Sequence, residues 1–168
     1  MAQMSVPATE PALVPTNADK SMLDRSFIGS VFEPFSILVE PSRLKFFANT
    51  IGETNPVFFD RSLAKAAGYK DVMVPPTFLW CLEMTRENPL DTLDLLGIDI
   101  AKILHGEQSF RYFNSAYSGD TLTYKARIAD IYEKKKGQLE FVVRETQIIN
   151  QDDVPVAELR TTVIVRND

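Results

Sequence analysis

The 168 residues, 45% hydrophobic and 24% charged, suffice for one sizeable core, and one soluble domain is the expectation. A formal net charge of −5 gives no general attraction for phosphate backbones or anionic headgroups, so neither nucleic acid nor a membrane surface is expected as a partner. One cysteine, Cys81, and one histidine, His105, exclude an intrachain disulfide and a cysteine-rich metal site.

Met1 to Met22 is rich in Pro, Ala, Ser and Thr, lacks an apolar period, and predicts a loose arm ahead of a domain over residues 23–168. It shows no basic segment followed by an apolar run, and no stretch of the chain approaches the roughly 20 apolar residues of a membrane span. A reducing, cytoplasmic setting is therefore expected. Phe35 to Val39 reads as a short strand stopped by Pro41. Leu44, Phe46, Phe47 and Ile51 recur at helical spacing, which predicts a helix over Ser42 to Ile51 with Gly52 as its stop. Asn55-Pro56 marks a turn, and Arg61 to Ala67 reads as a short helix closed by Gly68. Pro75-Pro76 then opens Thr77 to Met84, nearly continuous in apolar residues and read as a buried helix.

The second half is different in kind. Ile103 to Asn114, Thr121 to Lys134, Gln138 to Asn150 and Val154 to Val165 are rich in Val, Ile, Thr, Tyr and Phe. Ser118-Gly119-Asp120, Lys135-Lys136-Gly137 and Gln151-Asp152-Asp153 separate them, so four antiparallel strands joined by tight turns are predicted. Helices followed by strands make the chain α+β, with an apolar helix covering one antiparallel sheet.

One segment narrows the choice of fold. Gly52-Glu53-Thr54-Asn55-Pro56-Val57-Phe58, with Ala64 downstream, resembles the hydratase motif of MaoC-like enzymes: glycine, aspartate, any residue, asparagine, proline, an aliphatic residue and histidine. Ala67-Gly68-Tyr69, Val74-Pro75-Pro76-Thr77-Phe78, Leu104-His105-Gly106-Glu107-Gln108 and Tyr117-Ser118-Gly119-Asp120 follow in the order seen in that family's N-terminal-type, FAS1-like dehydratase domains. The resemblance spans Phe27 to Val165. It implies a hot-dog fold, a long central helix wrapped by an antiparallel sheet, and an (R)-specific enoyl-CoA hydratase or 3-hydroxyacyl thioester dehydratase acting on an acyl-CoA or acyl-carrier thioester without a cofactor.

In that family the aspartate and histidine hold the water that adds across the α,β double bond, and a backbone N–H at the start of the central helix meets the thioester oxygen. Here Glu53 stands at the aspartate position and Phe58 at the histidine position. A phenyl ring transfers no proton. Glu53 keeps a carboxylate but is a methylene longer, and misplacement by about an ångström costs on the order of a hundredfold. Glu53 is thus the one candidate catalytic residue. Asn55, Phe58, Thr77, Phe78 and His105 are candidate substrate-binding residues, Thr77 and Phe78 as backbone donors because Pro75 and Pro76 have no N–H. By family precedent, a hot-dog lacking the pair binds substrate while a second hot-dog supplies the chemistry, so a homo- or heterodimer is implied.

Each of these residues also has a plainer reading. Asn55 can simply cap its turn, His105 can be structural, and Asp120 can shape the Ser118-Gly119 turn. Cys81 lies in an apolar helix that disfavours a thiolate. Glu83 is expected to face solvent or an interface, but in a hot-dog thioesterase it would activate water, which leaves a homodimeric thioesterase open beside a non-enzymatic acyl-CoA binder. Lys134-Lys135-Lys136 is either a solvated hairpin tip or a contact for coenzyme A phosphates. Phe110, Tyr112, Phe113 and Tyr117 either fill the core or line an acyl tunnel.

Overall fold

Alternation of apolar and polar residues in the second half builds the scaffold on which the rest of the chain is hung. The computed structural model describes residues 23–167, so the expected arm over residues 1–22 lies outside the described residues. Strands β1 (Phe35–Leu38), β2 (Ile103–Tyr112), β3 (Thr121–Lys134), β4 (Leu139–Ile149) and β5 (Pro155–Arg166) form one antiparallel sheet in the order β1-β3-β4-β5-β2. The four predicted long strands are present: β3 has the predicted ends, and the other three are trimmed or moved by one or two residues. Leu122, Tyr124, Ala126 and Ile128 share one face of β3 and are buried, the period of two expected of a half-covered sheet.

The helices are α1 (Pro41–Thr50), α2 (Arg61–Ala66), α3 (Phe78–Glu83) and α4 (Asp91–Leu96). Pro41 starts α1 at a position where its missing N–H costs nothing, and Gly52, at φ 71°, turns the chain after it. Helix α3 packs Phe78, Leu79 and Leu82 against Leu122, Tyr124, Ile148 and Leu159 of the sheet. The buried Tyr124 hydroxyl donates to the Leu79 carbonyl at 3.0 Å, fixing the helix to β3. This is the α+β hot-dog arrangement.

The central helix occupies the predicted Thr77 to Met84 less one residue at each end. It ends at Glu83, where the Thr85 hydroxyl turns back to the Leu82 carbonyl at 2.7 Å. Pro89 lacks an N–H and disfavours helix at Asn88, so the chain breaks before α4, an element the sequence pattern did not announce. Gly97, left-handed at φ 63°, closes α4. After the interruption, Glu83, Asp91 and Thr92 meet Arg144 of β4, and Glu83 also meets Thr146.

Two irregularities bear on the site. Strand β2 bulges between His105 and Glu107, and Gly106 sits in the bulge with Ile164 in the place its side chain would take: a Cβ there would lie 2.7 Å from two Ile164 carbons. The β3–β4 hairpin turns through Lys135 and Lys136, both left-handed at φ 52° and 56°, and these lysines are solvent-exposed.

Candidate active site

The hydratase-like motif lies on the surface corner that follows α1. Glu53 Oε1 accepts hydrogen bonds from the N–H groups of Thr54 and Asn55, both at 2.8 Å, so this oxygen holds its own turn together. Asn55 Oδ1 accepts from the Val57 N–H at 3.2 Å and caps the single 3-10 turn Pro56–Phe58. The plainer reading of Asn55 is thus the one its geometry expresses. Phe58 is half-buried and brings no ionisable atom to the corner.

The motif is tied to the start of α3 by two links. The Met73 N–H donates to the Val57 carbonyl at 3.1 Å, and the rings of Phe47 in α1 and Phe78 in α3 meet at a tilt of 37° with centroids 4.7 Å apart. Of the two candidate oxygen donors, the Phe78 N–H is already directed to the Pro75 carbonyl at 2.9 Å. Thr77, exposed at the cap position of α3, is the donor that remains.

His105 is elsewhere. It meets Trp80 edge-on, with ring centroids 5.3 Å apart, on the rim of a cavity of about 140 Å³ between α3, α4 and the sheet. Glu53, Asn55 and Phe58 do not line that cavity. The candidate residues therefore fall into two groups: Glu53, Asn55, Phe58, Thr77 and Phe78 on the motif corner and at the start of α3, and His105 beside Trp80 midway along the helix.

Glu83 departs from expectation. It is neither solvent-facing nor at a surface interface: the residue is 4% exposed, and its Oε1 accepts from Arg144 Nε at 3.3 Å and from the Thr146 hydroxyl at 2.9 Å. Arg144 Nη1 also donates to Asp91 Oδ1 at 2.9 Å and to the Thr92 hydroxyl at 2.7 Å, and its guanidinium lies 4.4 Å from the Phe32 ring centre. Arg86 completes the network by a bidentate contact with Asp91, one arm of it at 2.6 Å, and a bond to the Pro89 carbonyl at 3.2 Å. Burial pushes the Arg144 guanidinium down, against the opposing pull of Glu83 and Asp91. For Asp91 burial acts to raise the carboxyl, but the Arg86 hydrogen bond and the charges of Arg144 and Arg86 outweigh it and hold the group below its ordinary value.

Arg86, Asp91 and Arg144 are residues the motif comparison passed over. The signal available was the parity of β4: Val142, Arg144, Thr146 and Ile148 alternate onto the helix-facing side, so Arg144 is a charge written into an apolar stripe. Cys81 is half-buried, and burial pushes its thiol up, as its apolar helix implied. Asp120 is buried and shapes its turn as expected, accepting from the Tyr117 N–H at 2.8 Å, from Lys70 at 3.3 Å and from Gln151 at 3.2 Å.

A family model described as the FAS1-like dehydratase domain region matches residues 26–159, most of the chain. The chain belongs to this family. Curated relatives include a UPF0336 protein of Saccharopolyspora erythraea, 32% identical over 145 residues, covering 86% of this chain and 92% of the relative. A UPF0336 protein of Thermobifida fusca is 32% identical over 147 residues, covering 87% and 95%. Among solved structures, the 3R-hydroxyacyl-ACP dehydratase complex HadBC of Mycobacterium tuberculosis superposes with a TM-score of 0.71 at 24% identity, over 82% of this chain and 96% of that one. The ChsH1-ChsH2 complex of the same organism gives 0.68 at 19% identity, covering 82% and 84%. The (R)-hydratase of A. caviae involved in PHA biosynthesis gives 0.63 at 18%, covering 81% and 94%. The fold of this FAS1-like chain is thus that of the MaoC-like hot-dog dehydratases and hydratases. Among the described residues no cluster of His, Cys, Asp and Glu is arranged to hold a metal, and no helix is long and apolar enough to cross a membrane.

Proposed function

We propose that this chain is the substrate-binding half of a two-subunit (R)-specific enoyl-CoA hydratase or 3-hydroxyacyl thioester dehydratase, with the acid–base pair supplied by a partner hot-dog. The observation that carries the reading is the chemistry at positions 53 and 58. The family reaction needs two groups that exchange protons with one water, and here one position is a phenyl ring while the other gives a carboxylate oxygen to two N–H groups of its own turn. That oxygen keeps the loop in shape, and with no second proton-transfer group at position 58 the pair the reaction needs is incomplete. Thr77 at the start of α3 retains a free backbone donor among the described residues, which fits a chain that still receives the thioester oxygen.

A partner has a place to dock. Strand β2 pairs with β5 along one edge and is the terminal strand of the sheet, leaving ten residues of backbone on the other edge. Leu104, Tyr112 and Phe113 stand beside that edge, each more than 40% exposed. Two hot-dogs joined there would give one continuous sheet with the α3 helices of both on the same side. The thioesterase reading loses support from the same structure, since Glu83 holds Arg144 and Thr146 where it would need to hold a water.

The test is hydration of crotonyl-CoA, followed by loss of the enoyl-thioester absorbance. The chain alone turns over at background, at least a hundredfold below the mixture with an Asp/His-bearing MaoC-like partner. In the mixture Glu53→Gln changes KM more than kcat. Robust turnover by the lone chain, abolished in Glu53→Gln, overturns the reading and makes Glu53 the base.

A further inference from the structure

Helices α1 and α3 border an open groove of about 480 Å³ to which the sheet contributes no residue. Small-molecule sites occupy roughly 300–1,000 Å³, so the space suits a ligand of modest size. Its walls are apolar: Phe46 and Phe47 come from α1, Phe78 and Cys81 from α3. Phe78, Cys81 and Thr85 follow one another at spacings of three and four residues, which puts them in one line along α3. Phe46 is 75% exposed, and a phenyl ring left in water favours any apolar group that covers it.

The rim differs from the walls. Ser42, Arg43 and Thr85 stand there, and Arg43 is the one charged residue of the groove. Arg43 is solvent-exposed and, among the described residues, its guanidinium has neither an ion-pair partner nor a hydrogen bond, unlike those of Arg61, Arg86, Arg127, Arg144 and Arg160. An apolar trough with one free guanidinium at its rim fits an amphipathic anion. A carboxylate matches the guanidinium fork with two parallel hydrogen bonds, and its single charge is balanced by the single cation present. The several phosphate charges of a coenzyme A handle would outnumber that cation.

We propose that the α1–α3 groove binds an apolar chain ending in a carboxylate, with the chain on Phe46, Phe47, Phe78 and Cys81 and the carboxylate on Arg43. Resting on the function proposed above, the chain is the acyl group of the thioester, because Thr77, the donor left for the thioester oxygen, immediately precedes Phe78 in the groove wall. Arg43 stands one turn of α1, about 6 Å, before Phe47, whose ring meets Phe78, and this sets the carboxylate site off from the thioester end. The substrates are then thioesters of dicarboxylic acids.

Cys81 is the one cysteine of the sequence and forms part of the groove wall, so its alkylation by iodoacetamide, a neutral reagent, reports whether the groove is filled. The thiol is half-buried and burial pushes its ionisation up, so the full chain is labelled in mildly alkaline buffer. Octanoate and octan-1-ol, equal in chain length, are titrated against the labelling rate. Octanoate halves the rate at a concentration roughly tenfold below that of octanol. Arg43→Gln brings the two within about threefold by weakening octanoate alone, and Arg43→Lys, which keeps the charge without the fork, falls between. Equal protection by both compounds in the unmodified chain overturns the role of Arg43, and no protection by either overturns the groove as a site. Protection that grows with protein concentration in the absence of ligand assigns the groove to a second copy and overturns the proposal. Octanoyl-CoA and the mono-thioester of octanedioic acid with coenzyme A form the second arm, the latter protecting at the lower concentration. Free coenzyme A gives no protection; equal protection by it assigns the groove to the handle and overturns the proposal. Protection by octanoate but by neither thioester leaves the groove assigned to a carboxylate-bearing chain and overturns its link to the acyl substrate.

Discussion

Removing the Glu83 charge separates a structural carboxylate from a reacting one. In Glu83→Gln the side chain keeps its shape, but Arg144, whose side chain is only 11% exposed, loses one of its two anionic partners. Breaking a buried ion pair costs about 3–5 kcal/mol when it leaves a charge unpaired. Arg144 retains Asp91 and the Thr92 hydroxyl, so the cost here falls to about 2–3 kcal/mol. At about 2–4 °C per kcal/mol for a domain of this size, the melting temperature drops by roughly 5–10 °C. Scanning calorimetry measures it, with Arg144→Met and the double variant Glu83→Leu/Arg144→Met alongside. The double variant recovers much of the loss of either single one, because an apolar pair of similar volume has no desolvated charge to compensate. Release of free thiol from an acyl-CoA is followed in parallel. A Glu83→Gln protein that melts with the parent but loses a measurable thioester hydrolysis refutes the structural account and restores the thioesterase.

Two further predictions concern stability. Because the folded Asp91 carboxyl lies below its ordinary value, its contribution is present above the unfolded value of about 3.9 and is lost as pH falls through the lower folded value; Asp91→Asn is therefore destabilised at pH 7, and the gap to the parent narrows in denaturant melts taken from pH 5 down to pH 2. A gap unchanged across that range removes the charge-based account. Gly106→Ala drives a Cβ into Ile164 and toward the Thr162 carbonyl, 3.2 Å away, and lowers stability by about 1–3 kcal/mol in urea titration, partly restored by Ile164→Val. A neutral Gly106→Ala shows that the β2 bulge relaxes freely.

Much of the fold was written locally. The strand-rich second half, the turn residues between its strands, Pro41 at the start of α1 and Gly52 after it act through backbone preferences and a two-residue period that need no partner to be read. The motif at Gly52–Phe58 located the corner where the family does its chemistry, and the substitutions at 53 and 58 could be seen in the sequence itself. Asn55 as a cap, Asp120 as a turn-former and Cys81 as an inert thiol likewise follow from residue type and immediate neighbours. What the sequence did not determine is where charges meet. Glu83 lies 61 positions from Arg144, and nothing local distinguishes a carboxylate that faces water from one that faces a guanidinium across a sheet. After the break at Pro89, Asp91 meets the guanidinium groups of both Arg86 and Arg144, with a cavity between α3, α4 and the sheet beside them. His105 belongs to the same family pattern as the motif, yet β2 carries it to the rim of the separate cavity, beside Trp80. Periodicity and caps are properties of a chain segment, whereas a buried charge network exists only once strands and helices distant in sequence have excluded the water between them.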